Sequence, residues 1–228
     1  MILASGCSFF RILLEEESTP KPLIFMRGVD SNILQPLITF LYTGAIAMAA
    51  MDNHLLWDVL ENSRMMCISD LEEEVQEHLV ARVAESEEVG EVVATLNYST
   101  ELKFPVVERA AIIVLHHLLS QDTMVEGFTS LSTSSLASLL LSFLPPPTAV
   151  SLLTSWLEGR QEVLEQEEVE VLESCLVMEV LVNMSSSSLV KLMAMGKWME
   201  CGWSVEVVAR VGRAIVEKEE RGEKRVYN

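Results

Sequence analysis

The chain has 228 residues, half of them hydrophobic, and carries a formal net charge of −18. This length allows one large domain or two small ones, and the hydrophobic content is too high for a disordered chain. An acidic surface repels phosphate groups, which argues against nucleic acid as a direct partner and against docking on anionic lipid.

The cysteines and the apolar segments indicate in which cellular compartment the protein is expected. The four cysteines are too far apart in sequence for a metal knuckle or a redox pair, which favours reduced, packed thiols in a cytoplasmic or nuclear protein. Residues 1–17 lack the basic start of a signal peptide, and Arg11 interrupts them. The uncharged stretch 127–157 is broken by Pro145-Pro146-Pro147, so neither half supplies the ~20 apolar residues of a membrane span.

The first predicted elements are short strands and one helix. Four consecutive apolar residues at 23–26 predict a buried strand, and 45–48 predicts a second. Apolar residues at helical spacing predict a helix over 32–42, which Asp30 or Ser31 would cap and Gly44 would end. Pro36 has no N–H and crowds the preceding turn, which favours a later start for this helix.

Two amphipathic helices follow. The first is predicted over 53–66 and would be capped by Asp52 or Asn53. The second, over 70–83, has an apolar stripe at every fourth residue and a solvent face of glutamates. The polar segment 85–90 is the predicted seam between two halves of the chain.

The remaining chain is predicted to be helical. Pro105 is placed at the start of a helix that runs to residue 119. Prolines and serine clusters separate the later predicted helices, which lie at 136–143, 149–157, 169–178, 189–199 and 205–217. The charged tail after residue 217 is expected to fray.

Three stretches of the first half resemble BTB/POZ domains. Residues 1–14 contain Leu-Ala-Ser and then Phe-Phe-Arg-Ile-Leu-Leu, 23–29 resembles the family's central strand, and 40–44 reads Phe-Leu-Tyr-Thr-Gly. The order and spacing of the three match the family, and the helices at 53–66 and 69–83 resemble its last two.

The second half is similar to the BACK domain that follows BTB in kelch-like proteins. Residues 97–119 resemble the helix pair that opens this domain, 128–140 resembles its Phe and Leu pattern, and 153–157 resembles its helix with a Trp near the end. The resemblance implies a mainly α fold: a BTB/POZ-like α/β half with a small sheet at 1–84, an all-α BACK-like domain at 92–200, and a C-terminal helix and charged tail at 201–228.

The chain departs from the family in three respects. The strand and helix that precede Met1 in the family, where much of its dimer interface lies, are not part of this sequence. No kelch blades or zinc-finger Cys/His pairs follow, and no hydrophobic-x-Glu motif of the kind found in cullin-binding members is placed here.

No residue pattern predicts catalysis, and we expect no catalytic residue, cofactor or metal. His116 and His117 are adjacent on a helix and point about 100° apart, so they do not converge on one metal. The serine clusters at 130–142 and 185–188 lack a Gly-x-Ser-x-Gly elbow, and the carboxylate runs lack the spacing of a calcium loop. Loops, caps and solvated helix faces account for them better.

The resemblance implies a non-catalytic protein-interaction adaptor. BTB domains of this type form dimers and dock a cullin-3 ubiquitin ligase, and the docking face corresponds here to Tyr42, the loop 47–52 and residues 92–102. The candidate protein-interaction residues are Phe9, Phe10, Leu13, Tyr42, Met48, Met51 and Asp52. The alternatives are a BTB-type transcriptional co-regulator and a truncated product that pairs with full-length relatives.

Overall fold

The computed structural model describes residues 3, 6–15, 26, 28–120, 127–142, 144–159, 165–176, 178–197 and 205–226. The chain divides into two compact units, a first unit at Met1–Glu85 and a second unit at Ser86–Asn228. Every helix in the described part is too short or too polar to cross a lipid bilayer.

The described residues of the first unit are mainly helical. They form α1 (Ser8–Glu15), α2 (Ser31–Thr43), α3 (Asn53–Met65) and α4 (Ser69–Glu85), with a 3₁₀ turn at Met48–Ala50 between α2 and α3. The predicted helices at 32–42, 53–66 and 70–83 are thereby confirmed. Buried apolar residues from α2, α3 and α4 form the core, and the predicted stripe Leu71, Val75, Leu79 and Val83 is buried throughout.

Capping residues define where α2 and α3 begin and end. Asp30 accepts a hydrogen bond from the Asn32 N–H at 3.4 Å, and Asp52 accepts one from the Leu55 N–H at 2.8 Å. Gly44 adopts the left-handed conformation (φ 73°), in which its N–H donates to the Phe40 carbonyl at 2.7 Å and closes α2. Pro36 does not delay the start of α2, which begins at Ser31 and continues through the buried proline.

The predicted α/β half with a small sheet is wrong, because the described residues contain no strand and the fold is mainly α. The predicted strand at 45–48 is an irregular segment that leads into the 3₁₀ turn. Its backbone groups bond locally: the Thr43 hydroxyl donates to the Ala45 carbonyl at 2.9 Å, and the Ala50 N–H donates to the Ala47 carbonyl at 3.1 Å. A strand needs a partner for these groups, and local bonds satisfy them instead. In the other predicted strand, residues 23–25 lie outside the described residues, and Met26 is not in a strand.

The described part of the second unit is helical. Its elements are α5 (Val89–Glu101), α6 (Pro105–Ser120), a 3₁₀ turn at Phe128–Ser130, α7 (Thr133–Leu141), α8 (Pro146–Gly159), α9 (Gln166–Glu173), α10 (Met178–Asn183), α11 (Ser186–Lys197) and α12 (Val205–Val226). The predicted helix at 136–143 begins earlier than expected because the Ser132 hydroxyl accepts a hydrogen bond from the Ser135 N–H at 3.2 Å. The last helix extends past the predicted end at residue 217.

Trp156 of α8 lies at the centre of the second unit's core. Its side chain is fully buried, and its indole N–H donates to the Leu131 carbonyl at 2.8 Å. Asn97 of α5 holds the same connecting segment, since its amide donates to the Ser130 carbonyl and its oxygen accepts from the Ser132 N–H, both at 2.9 Å. These bonds satisfy backbone groups that the segment between the 3₁₀ turn and α7 would otherwise leave unpaired.

Candidate functional site

A groove of about 640 Å³ opens on the first unit, between α2, the loop that follows it, and α3. We call it the α2–α3 groove. Its lining residues are Asp30, Asn32, Ile33, Gln35, Pro36, Thr39, Ile46, Ala47, Met51, Asp52, His54, Leu55 and Asp58. Its volume lies within the range of about 300–1,000 Å³ that is typical of ligand-binding clefts.

Aliphatic side chains form the apolar part of the groove. Ile33 and Pro36 lie three residues apart on α2 and therefore share one helix face. Ile46 and Met51 come from the loop, and Leu55 comes from the first turns of α3. Pro36 is buried and the other four are half-buried, so part of this apolar surface is open to solvent.

Arg82 of α4 fixes the wall formed by the loop. Its guanidinium donates to the Met51 carbonyl at 2.9 Å and to the Asn53 side-chain oxygen at 2.6 Å. Since these bonds join residues about thirty positions apart in sequence, they hold the loop and the start of α3 against α4. The groove is therefore a built feature of the fold and not a gap between independent segments.

The ionisable groups that line the groove are acidic apart from one histidine. They are the carboxylates of Asp30, Asp52 and Asp58 and the imidazole of His54. The His54 Nδ1 atom lies 3.0 Å from the Asp58 carboxylate, and the His54 side chain is largely exposed. Among the described lining residues none is Lys or Arg, so the charge of the groove is negative, like the net charge of the chain.

The predicted residues of the docking loop divide between the groove and its surroundings. Met51 and Asp52 line the groove, whereas Tyr42 and Met48 are not among its lining residues. Tyr42 is 56% exposed near the end of α2, and Met48 is half-buried in the 3₁₀ turn. Sequence reasoning missed Ile33, Pro36 and Leu55, because their helical spacing is equally typical of core positions.

The three predicted residues of α1 differ in burial. Phe10 is 3% exposed and forms an edge-to-face pair with Phe9, with ring centroids 5.4 Å apart. Phe9 and Leu13 are half-buried, and the exposed apolar surface of α1 belongs to Ile12 and Leu14. The Cys7 thiol donates to the Met66 carbonyl at 3.0 Å, which ties the chain just before α1 to the end of α3.

Residues 92–102 lie mostly in α5 and contribute largely to the core of the second unit. Val92, Val93 and Leu96 are buried, whereas Tyr98 is exposed. The predicted surface in this range is therefore the narrow face of α5 that carries Tyr98.

The side chains weighed for chemistry have structural partners. His116 Nε2 lies 2.7 Å from the Ser142 hydroxyl, and the His117 side chain is on the exposed side of α6. Burial raises the pKa of the Cys175 thiol, and a weaker opposing effect comes from the hydrogen bond with Ser174, so the reactive thiolate is disfavoured. Among the described residues, no three His, Cys, Asp or Glu side chains are grouped to hold a metal ion.

Comparison with known families places a domain on the first unit. The model of the BTB/POZ domain matches residues 1–82, which confirms the predicted BTB/POZ domain. Domains of this family mediate protein–protein interactions and dimerisation. The α2–α3 groove lies entirely within the matched residues. No curated protein matches the chain.

Proposed function

We propose that this chain is a non-catalytic adaptor that holds proteins together, with its BTB/POZ domain as the docking module. The observation that carries the proposal is the α2–α3 groove, a surface with partly exposed aliphatic side chains inside a domain whose family binds proteins. Partly exposed apolar surface of this kind is typical of protein-interaction sites.

The finer proposal is that the BTB/POZ domain docks a cullin-3 ubiquitin ligase. Its support is the resemblance, which assigns docking to Tyr42 and the loop 47–52. Tyr42 is more than half exposed, and Met51 and Asp52 lie on the groove wall that Arg82 holds in place. A large exposed aromatic near the end of α2 suits a docking face, because aromatic residues contribute strongly to protein interfaces.

We further propose that the second unit is a BACK-like domain of the kelch-like type. Its support is the order of helices together with the role of Trp156, whose indole joins α8 to the segment before α7. In this proposal the second unit performs no reaction of its own.

Co-elution with the N-terminal region of cullin-3 tests the docking proposal. We expect the purified chain to form a complex in size-exclusion chromatography and Tyr42→Ala to weaken it at least tenfold. Met65→Ala is the matched control, since Met65 is a 62% exposed apolar residue of the same unit that lies outside the groove and the loop. Absence of a complex with a monodisperse, folded sample would reject cullin-3 as the partner.

Dimerisation through α1 is a second proposal, favoured by the exposure of Ile12 and Leu14. A BTB partner, either a second copy or a relative, would cover these side chains. We expect Ile12→Glu to shift the chain toward the monomer in sedimentation velocity, whereas Arg11→Glu, at an exposed neighbouring position, leaves the distribution closer to wild type. Equal effects of the two substitutions would argue against an apolar contact at Ile12.

A further inference from the structure

We propose that the α2–α3 groove binds a linear segment of a partner protein that carries apolar side chains next to an Arg or a Lys. The apolar side chains would lie on the aliphatic part of the groove, and the cation would face the Asp52 and Asp58 carboxylates. This inference deepens the proposed function, because it gives the chemistry of the partner for the same docking domain.

The shape of the groove favours a segment of polypeptide. Aliphatic side chains from two helices and a loop line the groove together: Ile33 and Pro36 of α2, Met51 of the loop and Leu55 of α3. Several apolar contacts from different elements suit a peptide that presents more than one apolar side chain. The wall is preformed by Arg82, so a bound segment does not have to order it.

The charge of the groove selects a cationic partner. Three carboxylates and one histidine, His54, line it, with no described Lys or Arg, and the whole chain carries −18. An acidic segment would meet repulsion from both the groove and the rest of the surface, whereas a basic segment would be attracted at long range. Apolar contact alone would not discriminate between the two, so the carboxylates provide the selectivity.

Capping makes it possible to remove this charge without disturbing the helices. Asp30 and Asp52 are the N-caps of α2 and α3, and asparagine caps a helix about as well as aspartate does. The triple variant Asp30→Asn, Asp52→Asn, Asp58→Asn therefore retains the groove's shape and both caps while it loses three negative charges.

A second triple variant controls for net charge. Glu73, Glu74 and Glu77 lie exposed on α4 and do not line the groove. Glu73→Gln, Glu74→Gln and Glu77→Gln together remove the same three charges from a different surface of the same unit. Any long-range effect of net charge is therefore shared by the two variants.

The experiment selects ligands from a displayed library of random linear peptides of about a dozen residues, with the full chain as bait. We expect the selected peptides to be enriched in Leu, Ile or Met beside Arg or Lys. The synthetic form of the most enriched peptide should bind the asparagine variant roughly tenfold more weakly than wild type at low salt, and the glutamine variant within about twofold of wild type.

Three results would overturn the inference: no selected peptide, selected peptides without basic residues, or equal weakening by the two triple variants. Fluorescence anisotropy measures the affinities, and circular dichroism melting shows whether each variant is folded.

The cullin-3 co-elution is run on the same samples. A retained cullin-3 complex with failed peptide binding rejects only the groove inference, and the reverse result rejects only the cullin-3 proposal.

Discussion

The α2–α3 groove of the first unit and the core around Trp156 in the second unit are both built from aliphatic and polar side chains, but they expose them differently. In the groove, Ile33, Met51 and Leu55 are half-buried, and carboxylates line the same groove. Around Trp156 the polar groups bond inward: the indole meets the Leu131 carbonyl, and Thr133 donates to the Glu168 carboxylate at 2.6 Å. Hydrogen bonds between buried groups stabilise the fold, whereas the groove carboxylates, which also cap helices or bond to His54, lie in a groove whose apolar surface is partly open to a partner.

Trp156→Ala is the substitution with the largest expected effect, because it removes a fully buried aromatic side chain and its hydrogen bond. We expect a loss of about 3–5 kcal/mol in the free energy of unfolding, measured by urea denaturation with far-ultraviolet circular dichroism. Leu141→Ala, at an exposed position of α7, should cost far less. Similar losses in the two variants would show that the second unit does not depend on the Trp156 core.

Two adjacent leucines of α3 differ in the same way within the first unit. Leu56 is fully buried, whereas Leu55 is half-buried and lines the groove. We expect Leu56→Ala to cost about 2–5 kcal/mol in urea denaturation, and Leu55→Ala to cost about 1 kcal/mol or less. Binding of the selected peptide should respond in the opposite order, with the larger change in the folded Leu55→Ala variant. A groove that is only a packing defect would leave peptide binding unchanged by Leu55→Ala.

The sequence predicts much of the first unit's helical structure. The spacing of Leu71, Val75 and Leu79 identified the buried face of α4. Gly44 was the predicted end of α2, and Asp52 was one of the two predicted caps of α3. These features are local, since helical periodicity and capping depend on residues within one or two turns.

The absence of a strand at 45–48 and the presence of the groove could not be predicted from local sequence patterns. A short apolar run such as 45–48 fits a strand or a packed turn equally well, and only tertiary structure determines whether a pairing partner exists. Periodicity places Leu56 on the buried face of α3 with Val59 and Leu60, but it does not show that Leu55 borders a groove, because the groove also depends on α2 and the loop. The hydrogen bonds from Arg82 to the loop join residues about thirty positions apart, so no local sequence pattern predicts them.

Arg82→Met tests whether the groove wall depends on α4. The substitution retains much of the apolar stem and removes the hydrogen bonds to the Met51 carbonyl and the Asn53 side chain. We expect a loss of about 1–3 kcal/mol in thermal or urea denaturation, together with weaker binding of the selected peptide. The control is Arg109→Met on the exposed face of α6, which should be close to neutral in both assays. Unchanged stability and unchanged affinity for Arg82→Met would mean that the loop holds its shape without this contact.

Substitution of Asp52 has the smallest and most specific expected effect, because this residue both stabilises the fold and lines the groove. Its carboxylate caps α3 by accepting from the Leu55 N–H, and it also lines the groove. Asp52→Ala removes the cap and the charge, so we expect a loss of about 1 kcal/mol in stability and weaker peptide binding.

Asp52→Asn separates the two roles, because asparagine keeps a capping oxygen and loses the charge. We expect its urea denaturation midpoint to stay close to that of wild type while its affinity for the basic peptide falls about two- to threefold at low salt. The difference in affinity should shrink as sodium chloride is added, since screening weakens interactions between exposed charges. A peptide affinity that is unaffected by Asp52→Asn and reduced by Asp52→Ala would assign Asp52 to the fold of α3 alone, and the selectivity of the groove would then rest on Asp30 and Asp58.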